Sequence, residues 1–310
     1  MISIVIPIYN AEKNIYRLVK KLLEVFSSEK LEIILINDCS PDKSHEECIK
    51  ITNEYENFVT YIKLGKNMGE HNAVMAGLNY VNGDCAIIMD DDFQNPPEEA
   101  LKIYNFAKKN NFDVVYGDYR KNKKHNFFRN FISKINDKTA NLLLNKPINI
   151  YPSSFKCINK KILKHIISYK GPFPYIDGLI LSATSNIGSV ETQHAKRDKG
   201  ISGYTILKLL KLYGNLFTNF STMPIHIFSI SGLIIALIGV FYGLIIIIEK
   251  FLNPEIPTGY SSLISLIILF SGVQLIFLGL IGEYVGKILK NVNREKQFYI
   301  DFIKKKINKE

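Results

Sequence analysis

Along the first 118 residues, short apolar runs rich in β-branched side chains alternate with segments of helical period. The runs are Ile2–Ile8, Leu31–Ile36, Val59–Leu64, Cys85–Met89 and Asp113–Tyr116. Between them lie Ala11–Phe26, Ser44–Glu54, His71–Val81 and Pro97–Lys108, where apolar residues recur at helical spacing. Runs this dominated by apolar residues predict strands buried on both faces. Their alternation with helices predicts a parallel sheet covered on both sides. Ligands of such sheets sit beyond the carboxyl ends of the strands. The positions to question are therefore Tyr9-Asn10, Asn37-Asp38, Gly65–Gly69 and Asp90–Gln94. Further on, Ser153–Ile158, Lys160–Ile167 and Val190–His194 read as strand, helix and strand.

A different pattern takes over near residue 200. Tyr204–Phe220 places Leu207, Leu210, Tyr213, Leu216, Phe217 and Phe220 on one face with Lys208 and Lys211 off it. That face fits a helix lying in a membrane interface, or one packed on its own domain. Two uncharged stretches of 22 residues follow, Ile227–Ile248 and Ser261–Gly282. At 1.5 Å per residue each spans about 33 Å, enough for the hydrocarbon core of a bilayer. The expected division is a catalytic domain over 1–200, an interfacial helix over 201–225, a membrane hairpin over 226–286 and a basic tail over 287–310.

Charge sharpens this picture. The formal net charge is +10, but residues 287–310 alone carry eight Lys/Arg against three Asp/Glu, and residues 196–212 five against one. The excess flanks the apolar blocks, where it suits anionic headgroups and sets the domain and tail on the cytosolic side. A nucleic-acid partner is not expected, because the basic residues are not spread over the folded domain. Cys39, Cys48, Cys85 and Cys157 show no paired spacing, which fits a reducing compartment. The chain opens at once on an apolar run without a basic start or a cleavage site, so no secretory leader is expected.

The chemistry concentrates in Asp90-Asp91-Asp92-Phe93-Gln94. Consecutive carboxylates repel unless a positive charge sits among them. Asp90 and Asp92, two apart, share a direction in extended backbone, and Asp91 points elsewhere. Hard oxygen donors of this kind suit Mg2+ or Mn2+, particularly one shared with a diphosphate; a solvated acidic turn has the same composition. Asp38 adds an acid after the second strand, able to accept from a nucleotide or simply to form a turn with Asp42. There is no Gly-x-Gly-x-x-Gly and no Gly-Lys-Ser/Thr, which sets aside dinucleotide dehydrogenases and P-loop kinases.

The segments Ile-Pro-Ile-Tyr-Asn (6–10), Ile-Asn-Asp-Cys-Ser-Pro-Asp (36–42), Lys-Asn-Met-Gly-Glu-His (66–71) and Asp-Asp-Asp-Phe-Gln-Asn-Pro-Pro-Glu (90–98) resemble glycosyltransferase family 2. The order continues through Arg197, Gly200, Asn219-Phe220-Ser221 and Gly279–Gly286, which resembles the polyprenyl-phosphate glycosyltransferases along essentially the whole chain. The resemblance implies a GT-A fold, an α/β nucleotide-binding half followed by an acceptor half. It implies nucleotide contacts at Pro7, Tyr9, Glu12, Asp38, Asp90 and Asp91, and metal ligands Asp90, Asp92 and Gln94. It also implies an acceptor-phosphate site at Arg129 and Ser133, a donor-diphosphate contact at Arg197, and a homo-oligomer in a bacterial-type inner membrane. Two positions depart from the family. Gly203 stands where relatives often carry Lys, and Ile150-Tyr151-Pro152 lacks an acid that some relatives use as a candidate base. Asp177 is the nearest acid that could replace it, with a helix N-cap as its plain alternative.

The implied reaction passes a sugar from a nucleoside-diphosphate donor, with uridine the expected base, to a polyprenyl phosphate with inversion. A processive polysaccharide synthase of the same fold is the first rival; its usual Gln-x-x-Arg-Trp segment is missing from a chain with no Trp. A catalytically silent membrane sensor is the second, and the intact acids at 90–92 speak against it. The sugar itself depends on pocket shape and is not written in a motif.

Overall fold

The computed structural model describes residues 1–119, 152–193 and 259–305, with parts of 230–252. The strands are β1 (Ile2–Ile8), β2 (Leu31–Asn37), β3 (Val59–Leu64), β4 (Cys85–Ile88), β5 (Val114–Asp118), β6 (Lys156–Asn159), β7 (Ile187–Glu191) and β8 (Ile300–Lys304). The helices of the same unit are α1 (Ile15–Val25), α2 (Ser44–Glu54), α3 (Glu70–Leu78), α4 (Pro97–Asn110), α5 (Lys160–Ser168) and α6 (Ile176–Ala183). One sheet of eight strands runs in the order β7-β5-β6-β4-β1-β2-β3-β8. The chain lays β1, β2 and β3 side by side in parallel, then returns to place β4 on the other flank of β1. That reversal between β1 and β4 is a topological switch point, where open α/β sheets form a crevice.

Alternating side chains feed two cores. Ile4, Ile6, Ile33 and Leu35 meet Leu18, Cys48 and Ile103 from α1, α2 and α4. Val5, Ile34 and Ile36 meet α3, α5 and α6 on the opposite face. On that face α3 lies directly on the sheet at Gly77, where a Cβ would come within 2.5 Å of Ile36 Cδ1 and 2.7 Å of Val5 Cγ1. Any larger residue there must push the helix off the strands.

Several boundaries differ from the sequence reading. Helix α1 begins at Ile15, because residues 11–14 form a turn whose first N–H, from Ala11, donates to Ser44 Oγ at 2.9 Å. Strand β6 occupies only Lys156–Asn159 and runs antiparallel to β4 and β5. Strand β7 lies earlier than Val190–His194; it follows β5 in register from Val114 and Ile187 to Asp118 and Glu191. The largest departure is β8. The stretch expected as a basic tail over 287–310 contains an antiparallel edge strand on β3, and residues 294–310 cluster with 1–203 as one compact unit. Ile300-Asp301-Phe302-Ile303-Lys304 mixes charge into its apolar alternation, as edge strands commonly do.

The second compact unit, Tyr204–Asn293, is described mainly through α7 (Tyr260–Val292). Its 33 residues make about 50 Å of helix, longer than a hydrocarbon core of about 30 Å. It runs on past the expected Gly282, and beyond that point Lys287 pairs with Glu283 at 3.1 Å. Leu275, Ile276, Leu278 and Val292 are each more than 60 % exposed, an apolar surface that water disfavours. Among the described residues this is the one helix long and apolar enough to cross a membrane; a shorter apolar helix covers Ile230–Gly239. The expected interfacial helix over 201–225 lies outside the described residues.

At the amino end of the sheet, Glu32 is buried within β2. Its carboxylate accepts from Ser3 Oγ, from Asn82 N and Nδ2 at 2.6 and 3.0 Å, and from Gly83 N at 3.2 Å. Glu32→Ala takes this acceptor from the buried Ser3 hydroxyl and Gly83 N–H, leaves the exposed Asn82 donors to water, and should lower unfolding stability by about 2 kcal/mol. Urea unfolding of the detergent-solubilised protein checks this, and a loss under about 0.5 kcal/mol would assign Glu32 no such role.

Candidate active site

The carboxyl ends of β4, β1, β2 and β3 line up along one edge. The loop after each strand contains a residue in the left-handed region: Phe93 at φ 61°, Asn10 at 60°, Cys39 at 54° and Gly69 at 86°. For Phe and Cys this conformation is strained, and such residues gather where the surroundings fix them for a purpose. The surroundings here are specific. Asn10 N–H donates to Ser40 Oγ at 3.3 Å, Ser40 N–H to Asn37 Oδ1 at 2.8 Å, and the Arg17 guanidinium stands 4.4 Å from the Phe93 ring centroid.

Pro7 explains how the edge opens. Strand β1 pairs with β4 only as far as Val5 and Ile88, whereas its pairing with β2 continues through Pro7 to Ile8. A proline, which has no N–H to give, is tolerated where a partner strand has ended. Beyond that point Tyr9 N–H donates to Asp91 Oδ2 at 3.1 Å, fastening the two diverging strand ends together. The Tyr9 side of the edge faces solvent, with 49 % of the residue exposed. Glu12 ties the same loop to α2: its Oε2 accepts from Lys43 N–H and its own N–H donates to Asp42 Oδ2, both at 3.1 Å.

The acids divide their work. Asp90 Oδ2 accepts from Ser154 Oγ at 2.7 Å, and Asp92 Oδ1 closes an Asx turn by accepting from Gln94 N–H at 3.0 Å. Asp90, Asp92 and Gln94 are half-buried, all hard oxygen donors, with Asn95 Oδ1 buried beside them and without a hydrogen-bond partner among the described residues. This donor set fits Mg2+ or Mn2+. Among the described residues no group of three or more His, Cys, Asp or Glu side chains forms a ready cage. An ion held here would complete its shell with phosphate oxygens, the usual habit of Mg2+.

Asp38, expected at the nucleotide, has a task within the fold. It is 4 % exposed, and its two oxygens accept from Met68 N–H at 2.7 Å and Gly69 N–H at 2.9 Å. Burial raises its pKa, and these two bonds oppose the rise. The carboxylate thus shapes the 65–69 loop, with a second lone pair on each oxygen still available to a ligand.

Asp177 also takes another place than that of a base. It is buried in α6, where it accepts from Tyr116 Oη at 2.8 Å and forms an ion pair with Lys156, itself 3 % exposed. The Lys156 ammonium lies 5.1 Å from the Tyr116 ring centroid. Asp177 anchors β5, β6 and α6 to one another; the helix N-cap alternative fails too, because α6 starts at Ile176. Arg129, Ser133, Arg197 and Gly203 lie outside the described residues.

Sequence reasoning missed Glu70 and His71, which open α3 directly after the loop that Asp38 holds. The carboxyl of Glu70 is pushed up to about 7, first by burial and then by the charges of Asp90 and Asp177, against the opposing pull of Lys156. The residue as a whole is solvent-exposed, at the mouth of the sheet edge and not in the core. His71 meets Tyr175 edge-on at 5.3 Å, and burial lowers its pKa, favouring the neutral ring. The available signal was Gly69-Glu70-His71 opening a helix at a strand-end loop.

Glu70 carries a pH dependence of definite sign. Its folded pKa exceeds its unfolded one, so ionisation opposes folding: the cost is absent below about 4.5 and complete above about 7. In metal-free protein, Glu70→Gln should raise the melting temperature at pH 8, and the gain should vanish as pH falls towards 4.5. A pH-independent effect would contradict the placement of Glu70 among these acids.

Residues 3–167 match the family described as Glycosyl transferase family 2, and residues 223–288 match the GtrB C-terminal hairpin. Similar curated proteins include the undecaprenyl-phosphate 4-deoxy-4-formamido-L-arabinose transferase of Photorhabdus laumondii, 31 % identical over 303 residues, covering 96 % of this chain and 93 % of that one. The enzyme of the same description from Pectobacterium carotovorum is 31 % identical over 307 residues, covering 96 % and 92 %. Among solved structures, S. aureus TarS 1–349 in complex with UDP-GlcNAc is 17 % identical with a TM-score of 0.46, covering 66 % of this chain and 61 % of that one. Glucosyl-3-phosphoglycerate synthase from Mycobacterium tuberculosis in complex with Mn2+, UDP-glucose and phosphoglyceric acid is 16 % identical with a TM-score of 0.44, covering 64 % and 72 %. With a switch-point crevice lined by acids, a family match over half its length and relatives matched nearly end to end, the chain belongs to glycosyl transferase family 2 and has that family's GT-A type of α/β fold.

Proposed function

We propose that the protein transfers a sugar from a nucleoside-diphosphate sugar, with uridine as base, to undecaprenyl phosphate, inverting the anomeric carbon, at the cytosolic face of a bacterial inner membrane. One observation carries the reading: a hard-oxygen donor site at the β1/β4 switch point shares a polypeptide with a 33-residue apolar helix. The curated relatives are described as undecaprenyl-phosphate transferases over nearly their whole length, which supports the same acceptor class.

In this reading the exposed Tyr9 ring and the loop shaped by Asp38 receive the nucleoside. Asp90, Asp92 and Gln94 hold Mg2+ or Mn2+, whose positive charge, when bound, offsets the negative charge that builds on the departing diphosphate. Asp91 keeps the ends of β1 and β4 at a fixed spacing through Tyr9 N–H. Arg197 contributes positive charge to the diphosphate, and Arg129 with Ser133 grips the acceptor phosphate and aligns its oxygen for in-line attack. That oxygen is already anionic near neutral pH, so the reaction does not demand a strong base. The burial of Asp177 in an ion pair is compatible with such chemistry. Spans over 227–248 and 261–282 hold the catalytic unit at the bilayer, where the lipid phosphate resides, and positive flanks set it on the cytosolic side. Assembly into homo-oligomers belongs to the same reading.

The test is an assay of membranes with undecaprenyl phosphate and a panel of UDP-sugars, with product lipids identified by mass. Asp92→Asn should cut turnover at least about 100-fold while the protein stays folded. EDTA should silence the wild type, and added Mn2+ or Mg2+ should restore it; full turnover in excess chelator would reject the metal role.

Arg129→Ala separates acceptor from donor. It should impair use of polyprenyl phosphate far more than UDP affinity, measured by lipid-dependent kinetics beside calorimetry. Equal losses in both would make Arg129 structural.

A further inference from the structure

The segment that follows α7 returns to the nucleotide edge of the sheet. Gln297, 8 % exposed, donates Nε2 to the carbonyls of Tyr169 at 2.7 Å and Gly171 at 2.8 Å. Two residues on, Tyr299 O accepts from Gly65 N–H at 2.9 Å. The ring of Tyr299 lies on Gly65: a Cβ at that glycine would stand 2.8 Å from Tyr299 Cδ1. Asp301 then pairs with Lys63 at 2.7 Å, and β8 continues along β3.

Gly65 is the first residue of the loop whose far end Asp38 holds through Met68 and Gly69. Cys39 Sγ lies 3.9 Å from Gly65 O, and Asn72 Nδ2 donates to Met68 O at 2.7 Å. The loop is therefore gripped at both ends, by Asp38 on the β2 side and by Tyr299 on the β8 side. The Tyr299 grip does not come from core packing, since the residue is 62 % exposed. A large aromatic left in solvent and seated on a glycine contributes little to global stability, yet it closes off the free side of the loop.

We propose that Tyr299 is a positioning residue for the donor nucleotide, acting through Gly65 to fix the 65–69 loop against Asp38. The inference rests on the reading that a nucleoside diphosphate binds at this edge. It makes the segment after the membrane hairpin a working part of the donor site rather than a tail. No contact between Tyr299 and the nucleotide is required.

The experiment uses full-length protein in detergent. UDP affinity is measured by calorimetry with Mn2+, and transfer kinetics with a UDP-sugar the enzyme accepts. Tyr299→Ala should weaken UDP binding about three- to tenfold and raise KM for the donor equally, with kcat little changed. Tyr299→Phe, which keeps the ring and the main-chain acceptor, should match wild type. Lys304→Ala, at the far end of β8 where Lys304 meets Asn53, should leave UDP affinity unchanged. Melting temperatures of all three variants separate loosened positioning from unfolding. If Tyr299→Ala binds UDP as wild type does, or loses kcat with donor KM unmoved, the inference is overturned. The same holds if Lys304→Ala weakens binding as much, because the effect would then be general loosening of the strand. Wild-type protein that binds no UDP would overturn the functional reading together with the inference, a result distinct from wild-type binding with an indifferent Tyr299.

Discussion

Crowded negative charge at one sheet edge is the constraint that the rest of the unit answers to. Asp38, Glu70, Asp90, Asp91 and Asp92 stand on neighbouring strand ends and on the first residue of a helix, where like charges at short range disfavour folding. The chain spends specific groups on them. Asp38 takes two backbone N–H groups, Asp91 takes Tyr9 N–H, Asp92 takes Gln94 N–H and Asp90 takes the Ser154 hydroxyl. Glu70 is drawn towards its neutral form instead. Among the described residues Lys156 is a buried cation whose charge acts on Glu70, and Asp177 fixes its direction. The left-handed turns at Asn10, Cys39 and Phe93 follow, because only sharply bent backbone aims so many donors at so few residues. Stability given up in this way leaves a site that a cation and a diphosphate, together, would relieve.

The sheet was readable because its strands are buried on both faces, so β1 to β4 appear as mainly apolar runs, interrupted at Ser3, Glu32, Thr60 and Lys63, with no competing helical period. The acids at 90–92 were readable for a local reason: three carboxylates in sequence must be near one another whatever the fold. What escaped depended on distant partners. Glu70 looks like an ordinary helix-opening acid until β4 places Asp90 beside it. Asp177 looked available until Lys156 and Tyr116, on two other strands, closed over it. Strand β8 was hidden because Ile300–Lys304 sits in a lysine-rich stretch, and only the exposed edge of β3 gives its alternation a partner.

Pro7 and Asp38 show a second limit on reading roles from residue types. Both resemble positions that hold a nucleotide, yet each has a prior task in the fold. Pro7 marks where β4 leaves β1, and Asp38 forms the loop in front of it. Neither task competes with binding. A crevice has to be held open and its loops held still before a ligand can gain from entering it, and Pro7 and Asp38 meet that prior condition.

The position of β8 in the chain has a consequence for how the protein is made. Every other strand of the sheet is encoded before the apolar segments, and β8 after them. During synthesis the outer edge of β3 must wait, unpaired, until the residues that follow α7 emerge. An uncovered parallel edge is prone to pair with other chains. The sheet is thus complete only when nearly the whole chain has been made, and a chain that stops within α7 would keep that edge raw.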